Sequence, residues 1–147
     1  MSNFIVIGTW NTKKEELEFV CNEIEKRSHR PIKLDLSTKK ISGSREFAIN
    51  DAVTHAKFKL RKIFKKDRIA GVLSLGGGTN LFMATKIMED IPLFIPKMIV
   101  STMIVNSLHA VRTYKDILYV QSPCDFGILN PLTKAALWPM MPYKKMK

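Results

Sequence analysis

Four stretches of this sequence hold the residue types that cradle an anion: Gly8-Thr9, Ser37-Thr38, Gly76-Gly77-Gly78-Thr79-Asn80 and Ser101-Thr102. Glycine lets backbone N–H groups approach a ligand with no Cβ in the way, and a hydroxyl adds a donor. No acidic residue stands among them. The glycine run weighs most. A helix beginning there adds unpaired amides and the positive end of its dipole, which suits phosphate or carboxylate. The same residues also allow a plain tight turn with Thr79 or Asn80 as a helix cap. After the first stretch, Lys13 and Lys14 fall in the opening turn of a helix, where a cation costs roughly a few tenths of a kcal/mol unless a bound anion reverses the sign. Exposed lysines tolerated at that cost are the other reading.

Other chemistries find less. The spacing Gly-x-x-x-x-Gly-Lys-Ser/Thr is absent, and so is Gly-x-Gly-x-x-Gly, so neither a P-loop nucleoside triphosphatase nor a dinucleotide dehydrogenase is supported. His29, His55 and His109 fall in different elements without neighbouring ligand spacing, so no metal site is assigned. Ser101, His109 and Asp125 make a nominal triad, but the Gly-x-Ser-x-Gly elbow is missing. Cys21 sits on an apolar helical face as a small core residue, and its spacing to Cys124 fits neither a metal site nor a disulfide framework. No catalytic residue is assigned.

These stretches need elements to position them. Asn3–Thr9 opens with a continuous apolar run, the mark of a strand buried on both faces of a parallel sheet. Thr12-Lys13-Lys14-Glu15 reads as a capping box with Thr12 as the cap. Leu17, Val20, Cys21 and Ile24 then fall on one helical face. Pro31–Leu36 is a second strand, 37–44 a loop, and Arg45–Lys66 a long helix. Its seam is Ile49, Ala52, Val53, Ala56, Leu60, Ile63 and Phe64, and Phe58 is also read as core. Ala70–Leu75 is a third strand, followed by a helix over Leu81–Glu89 with Leu81, Ala84, Ile87 and Met88 inward. Lys97–Val100 and Ile117–Val120 complete the strands. Met103–Arg112 reads as an irregular loop with a helical turn, and Leu132–Leu137 as a short helix.

Strands alternating with helical crossovers predict an α/β domain: a Rossmann-like doubly wound sheet of about five mostly parallel strands with helices on both faces. In such a sheet ligands bind outside the carboxyl ends of the strands, where all four stretches lie. The 147 residues, 46% hydrophobic and 25% charged, suit one domain over 3–137, with 138–147 as an appended tail. No apolar run approaches the roughly 20 residues a membrane span needs. Phe4–Ile7 is too short for a signal-peptide core, so a cytoplasmic protein with no membrane partner is expected. The net charge is +11, with seven bases between Lys57 and Arg68. That charge fits a solvated lysine-rich face, and it also leaves a nucleic acid open as partner.

The sequence resembles the two-domain bacterial and plant family that includes the tomato mosaic virus resistance protein, whose N-terminal domain is commonly labelled ATP-binding. The resemblance runs from about Ile5 to Asn130. It is carried by Gly8-Thr9-x-Asn11-Thr12-Lys13-x-x-Glu16-Leu17, Asp35-x-Ser37-Thr38, Gly71-Val72-x-x-Leu75-Gly76-Gly77 and Pro96-Lys97-x-x-x-Ser101-Thr102, with Asp116, Asp125 and Asn130. It implies a site for ATP or another phosphate-bearing nucleotide at the strand ends. Gly8, Thr9, Asn11, Thr12, Lys13, Ser37, Thr38, Gly76, Gly77, Gly78, Thr79, Asn80, Ser101 and Thr102 become the site candidates. The family usually has Asp where Asn11 stands, which weakens a metal or ribose contact there and leaves magnesium open. Asn106 replaces a glycine after the fourth strand, and a chain without the family's C-terminal domain is expected. A homo-oligomer, and a partner chain carrying that domain, are implied expectations.

Three functions are thus in play: a nucleotide- or phosphate-binding module without a complete active site of its own, a basic module for protein or nucleic acid, and half of an enzyme completed by a separate chain.

Overall fold

The computed structural model describes residues 1–38, 43–107 and 116–125, with 130, 131, 134 and 137 beyond them. Its elements run β1 (Asn3–Gly8), α1 (Lys14–Lys26), β2 (Arg30–Asp35), α2 (Arg45–Lys66), β3 (Ile69–Gly76), α3 (Gly78–Met88), β4 (Lys97–Ser101), α4 (Ile104–Ser107) and β5 (Ile117–Gln121). The strands form one sheet in the order β2-β1-β3-β4-β5, and every pairing is parallel. This is the flavodoxin-type order of a doubly wound α/β sheet, which reverses direction between β1 and β3. Pro31, which has no N–H to give a ladder, sits in the edge strand β2.

Alternation along the strands divides the core in two. Ile5 and Ile7 face α2 and α3, in a cluster with Leu34, Leu60, Leu81, Ala84, Ile87 and Ile99. Val6 faces the other way, packing with Leu17, Val20, Cys21 and Ile24 of α1 and with Leu73, Leu75, Val100 and Leu137. Burial pushes the Cys21 thiol up to about 11, which keeps it protonated and unreactive. Lys134 N donates to Asn130 O at 3.0 Å, a helical bond that starts two residues before the expected Leu132–Leu137 helix, and Leu137 is fully buried. The tail, 138–147, lies outside the described residues.

Three local expectations are corrected. Thr12 does not cap α1: the N-cap is Lys13, with no side-chain cap bond. The Thr12 hydroxyl instead donates back to Thr9 O at 3.3 Å, closing a turn that also carries Thr12 N and Lys13 N on the same carbonyl. Phe58 is not core but 58% exposed, with the Lys62 ammonium 4.4 Å from its ring centroid. It falls on the solvent side of α2, where a cation stacked on the ring replaces burial. Helix α3 starts at Gly78 rather than Leu81, so the glycine run itself becomes the helix N-terminus, with Gly77 as N-cap.

Candidate functional site

The sheet order decides which loops meet. At the reversal between β1 and β3, the turn after β1 faces the N-terminus of α3, and a cleft of about 340 Å³ opens between them. From the first side it is lined by Thr9, Asn11, Thr12 and Lys13, and from the other by Gly77, Gly78, Thr79 and Asn80. Thr38, Arg45, Ala48, Ile49 and Met83 close it, and no carboxylate is among these lining residues.

The two walls differ in what they present. Gly77 has no side chain with which to cap α3, so the first-turn amides of Gly78, Thr79 and Asn80 have no acceptor within the helix. Across the cleft, Arg45 Nη2 donates to Thr79 Oγ1 at 2.9 Å, which places a guanidinium beside those amides. Lys13 adds a second cation, its ammonium 3.6 Å from Asp125 Oδ1. The Thr9 and Thr12 hydroxyls bond each other at 2.8 Å.

The glycines divide by what a Cβ would meet. At Gly8 it would lie 2.5 Å from Leu17 Cδ2, so this glycine lets α1 pack on the strand end and does not line the cleft. At Gly76 it would lie 2.6 Å from Asn80 Cβ: that glycine lets the first turn of α3 fold back over the strand. At Gly77 it would meet nothing within 4 Å. Asn80 is buried and donates through Nδ2 to Ser74 Oγ at 3.0 Å, while its Oδ1 has no partner among the described residues.

Ser37 sits one step back from the cleft. Its hydroxyl donates to Asp35 Oδ1 at 2.6 Å and accepts from Asn11 N at 3.1 Å, while Asp35 Oδ1 also accepts from Ser37 N and Trp10 N. Burial would raise the Asp35 carboxyl, but these hydrogen bonds outweigh it and hold the carboxyl below its ordinary range. The Asp35-x-Ser37 pair therefore braces the turn after β1 through its backbone. Trp10 braces it again from its indole, which donates to Glu18 Oε1 at 2.8 Å.

Ser101 and Thr102 do not reach the cleft. Ser101 is fully buried and its hydroxyl accepts from Met103 N, while Thr102 O accepts from Gln121 Nε2 at 2.9 Å. They stand at the end of β4, on the far side of β3 from the reversal. Of the nominal Ser101, His109, Asp125 set, His109 lies outside the described residues. Among those residues, no group of three or more His, Cys, Asp or Glu side chains could hold a metal. No helix there is long and apolar enough to cross a membrane.

Arg45 is the residue the sequence reading missed. Its signal in the sequence is a cation in the first turn of α2, which opposes the dipole as Lys14 does in α1.

Residues 40–139 match the model of the "Uncharacterised protein family (UPF0261) N-terminal domain". The chain belongs to the UPF0261 family. A UPF0261 protein of Rhizobium meliloti is 27% identical over 93% of this chain, and one of Clostridium tetani is 27% identical over 90%. A UPF0261 protein of Mesorhizobium japonicum is 25% identical over 93% of the chain. The chain spans about 40% of the length of these UPF0261 relatives. The matched family region takes in α2, the glycine run, α3, β4 and β5, and the alignments to relatives extend over nearly all of the chain.

Proposed function

We propose that the cleft between the turn after β1 and the N-terminus of α3 binds the phosphate of a nucleotide, with ATP the preferred type. The phosphate sits on the amides of Gly78, Thr79 and Asn80, between Lys13 and Arg45. One observation carries the reading: Gly77 lines the cleft, yet a Cβ there would touch no protein atom. Packing does not require that glycine, as it requires Gly8 and Gly76. A ligand approaching the backbone does. The two cations, the absence of acid from the lining and the dipole of α3 all favour an anion there. The ATP-binding label attached to the family resemblance agrees.

Gly77 has φ −84° and ψ −162°, extended backbone open to any residue, so Gly77→Val keeps the fold. At a hundred times Kd a ligand stabilises by about 2.7 kcal/mol. For a domain of this size that raises the melting temperature by roughly 5–10 °C. The expected result is such a rise with ATP, ADP or pyrophosphate for the natural chain and none for Gly77→Val. A flat response of the natural chain across millimolar concentrations of all three rejects the reading.

The chain covers a minority of its relatives' length, which favours a second proposal in which a reaction needs further sequence beyond this domain. In that reading the cleft supplies the nucleotide and another domain supplies the reacting groups. Nucleotide turnover by this chain alone would count against it.

A further inference from the structure

A second hollow, of about 330 Å³, adjoins the phosphate cleft beyond the end of β2. The two share Thr38 and Ala48 in their linings, so they lie side by side. Both volumes fall in the range of small-molecule sites, ~300–1,000 Å³.

Their chemistry differs in sign. The first lobe presents Lys13 and Arg45 and no carboxylate. The second is lined by the buried Leu36 and Ala56 with Ala52, and by Asp35, Asp51, His55 and Lys59. Asp35 Oδ1 is already occupied by Ser37 and Trp10, and Asp51 Oδ1 lies 3.4 Å from His55 Nδ1. Two carboxylates repel a phosphate and accept from hydroxyl or amine donors. Leu36, Ala52 and Ala56 offer the apolar contact that a ring system needs.

We infer that the site has two lobes, the second taking the nucleoside half of the ligand whose phosphate lies in the first. The inference rests on the phosphate reading above and adds the ligand's other half. A ring system with a sugar fits the lobe: its faces meet the aliphatic side chains and its donors the carboxylates. A bare phosphate or pyrophosphate reaches only the first lobe.

The test compares ADP with pyrophosphate by calorimetry on the natural chain and two variants. Ala52→Leu fills the second lobe, and Asp51→Asn alters its lining without changing side-chain volume. Ala52→Leu is expected to weaken ADP about tenfold or more. Pyrophosphate should stay within about twofold, because its contacts lie in the other lobe. Asp51→Asn is expected to weaken ADP selectively by a smaller factor, which keeps the test valid if Ala52→Leu melts early. If pyrophosphate binds and neither variant changes ADP affinity, or if both ligands weaken equally, the two-lobed inference is overturned and the phosphate reading stands. If neither ligand binds the natural chain, the phosphate reading fails and this inference fails with it.

Discussion

Lys97 Nζ lies 2.8 Å from Asp116 Oδ1, and the lysine side chain is wholly buried. The same ammonium donates to Pro92 O at 2.8 Å and Ile95 O at 3.0 Å, while Asp116 Oδ2 accepts from Phe94 N. One buried cation thus holds the Pro92–Pro96 turn against the start of β5. This knot sits at the amino-terminal ends of β4 and β5, the opposite edge of the sheet from the cleft. Lys97 and Asp116 belong among the residues that carried the family resemblance, and the structure gives them a structural task.

That knot predicts a pH dependence. The hydrogen bond from Lys97 outweighs desolvation and holds the Asp116 carboxyl below its ordinary range. A depressed carboxylate contributes stability that is complete above its unfolded value, near ~3.9, and lost as pH falls through the folded value. Asp116→Asn should therefore melt below the natural chain at pH 7, with the gap narrowing below about pH 4. Thermal melts across that range check it. Lys97→Met should cost about 1–3 kcal/mol for each carbonyl left without a donor.

The glycines should separate cleanly in chemical denaturation. Gly8→Ala sets a methyl against Leu17, where overpacking costs about 1–3 kcal/mol. Gly77→Ala meets open space and should change stability by no more than about 0.5 kcal/mol. A Gly77→Ala loss as large as that of Gly8→Ala would contradict the assignment of their roles.

Removing a cation from the cleft should cost binding more than folding. Arg45 is exposed and its hydrogen bond goes to the Thr79 hydroxyl, so Arg45→Ala should leave the melting temperature nearly unchanged. Pyrophosphate affinity should fall by roughly 1.5–3 kcal/mol, the worth of a hydrogen bond from a charged group. Titration calorimetry measures it, and the difference should shrink as salt screens the guanidinium.

Ser37→Ala tests a residue that acts at one remove. The alanine cannot accept from Asn11 N or donate to Asp35, so the turn after β1 loses part of its brace. The stability cost should be about 0.5–1.5 kcal/mol, the net worth of an ordinary hydrogen bond. Faster amide exchange at Trp10 and Asn11 is the signature that separates bracing from direct ligand contact.

Much of the fold was legible in the chain. Phe4-Ile5-Val6-Ile7 is apolar without alternation because β1 lies inside a parallel sheet covered on both faces, and the run shows it. The seams of α1, α2 and α3 followed the helical period because each helix buries one stripe against that sheet. Phe58 did not follow: it stands two residues, about 200° of helix, from both Ala56 and Leu60, which puts it on the face opposite the seam, where Lys62 covers its ring.

The residue types of the candidate site were legible in the sequence, and its membership less so. Residue types alone marked Gly77, Gly78, Thr79, Thr9 and Lys13, because few other residues let a backbone or a cation meet an anion. Which strand ends converge is a property of sheet order, and that depends on long-range pairing that no local spacing records. The order β2-β1-β3-β4-β5 brings the ends of β1 and β3 to one cleft, leaves Ser101 and Thr102 beyond β3, and brings in Arg45 from the far end of a loop. Only the tertiary structure could separate a glycine that makes room for Leu17 from one that faces open space in the cleft, because the difference lies in what stands opposite the missing Cβ.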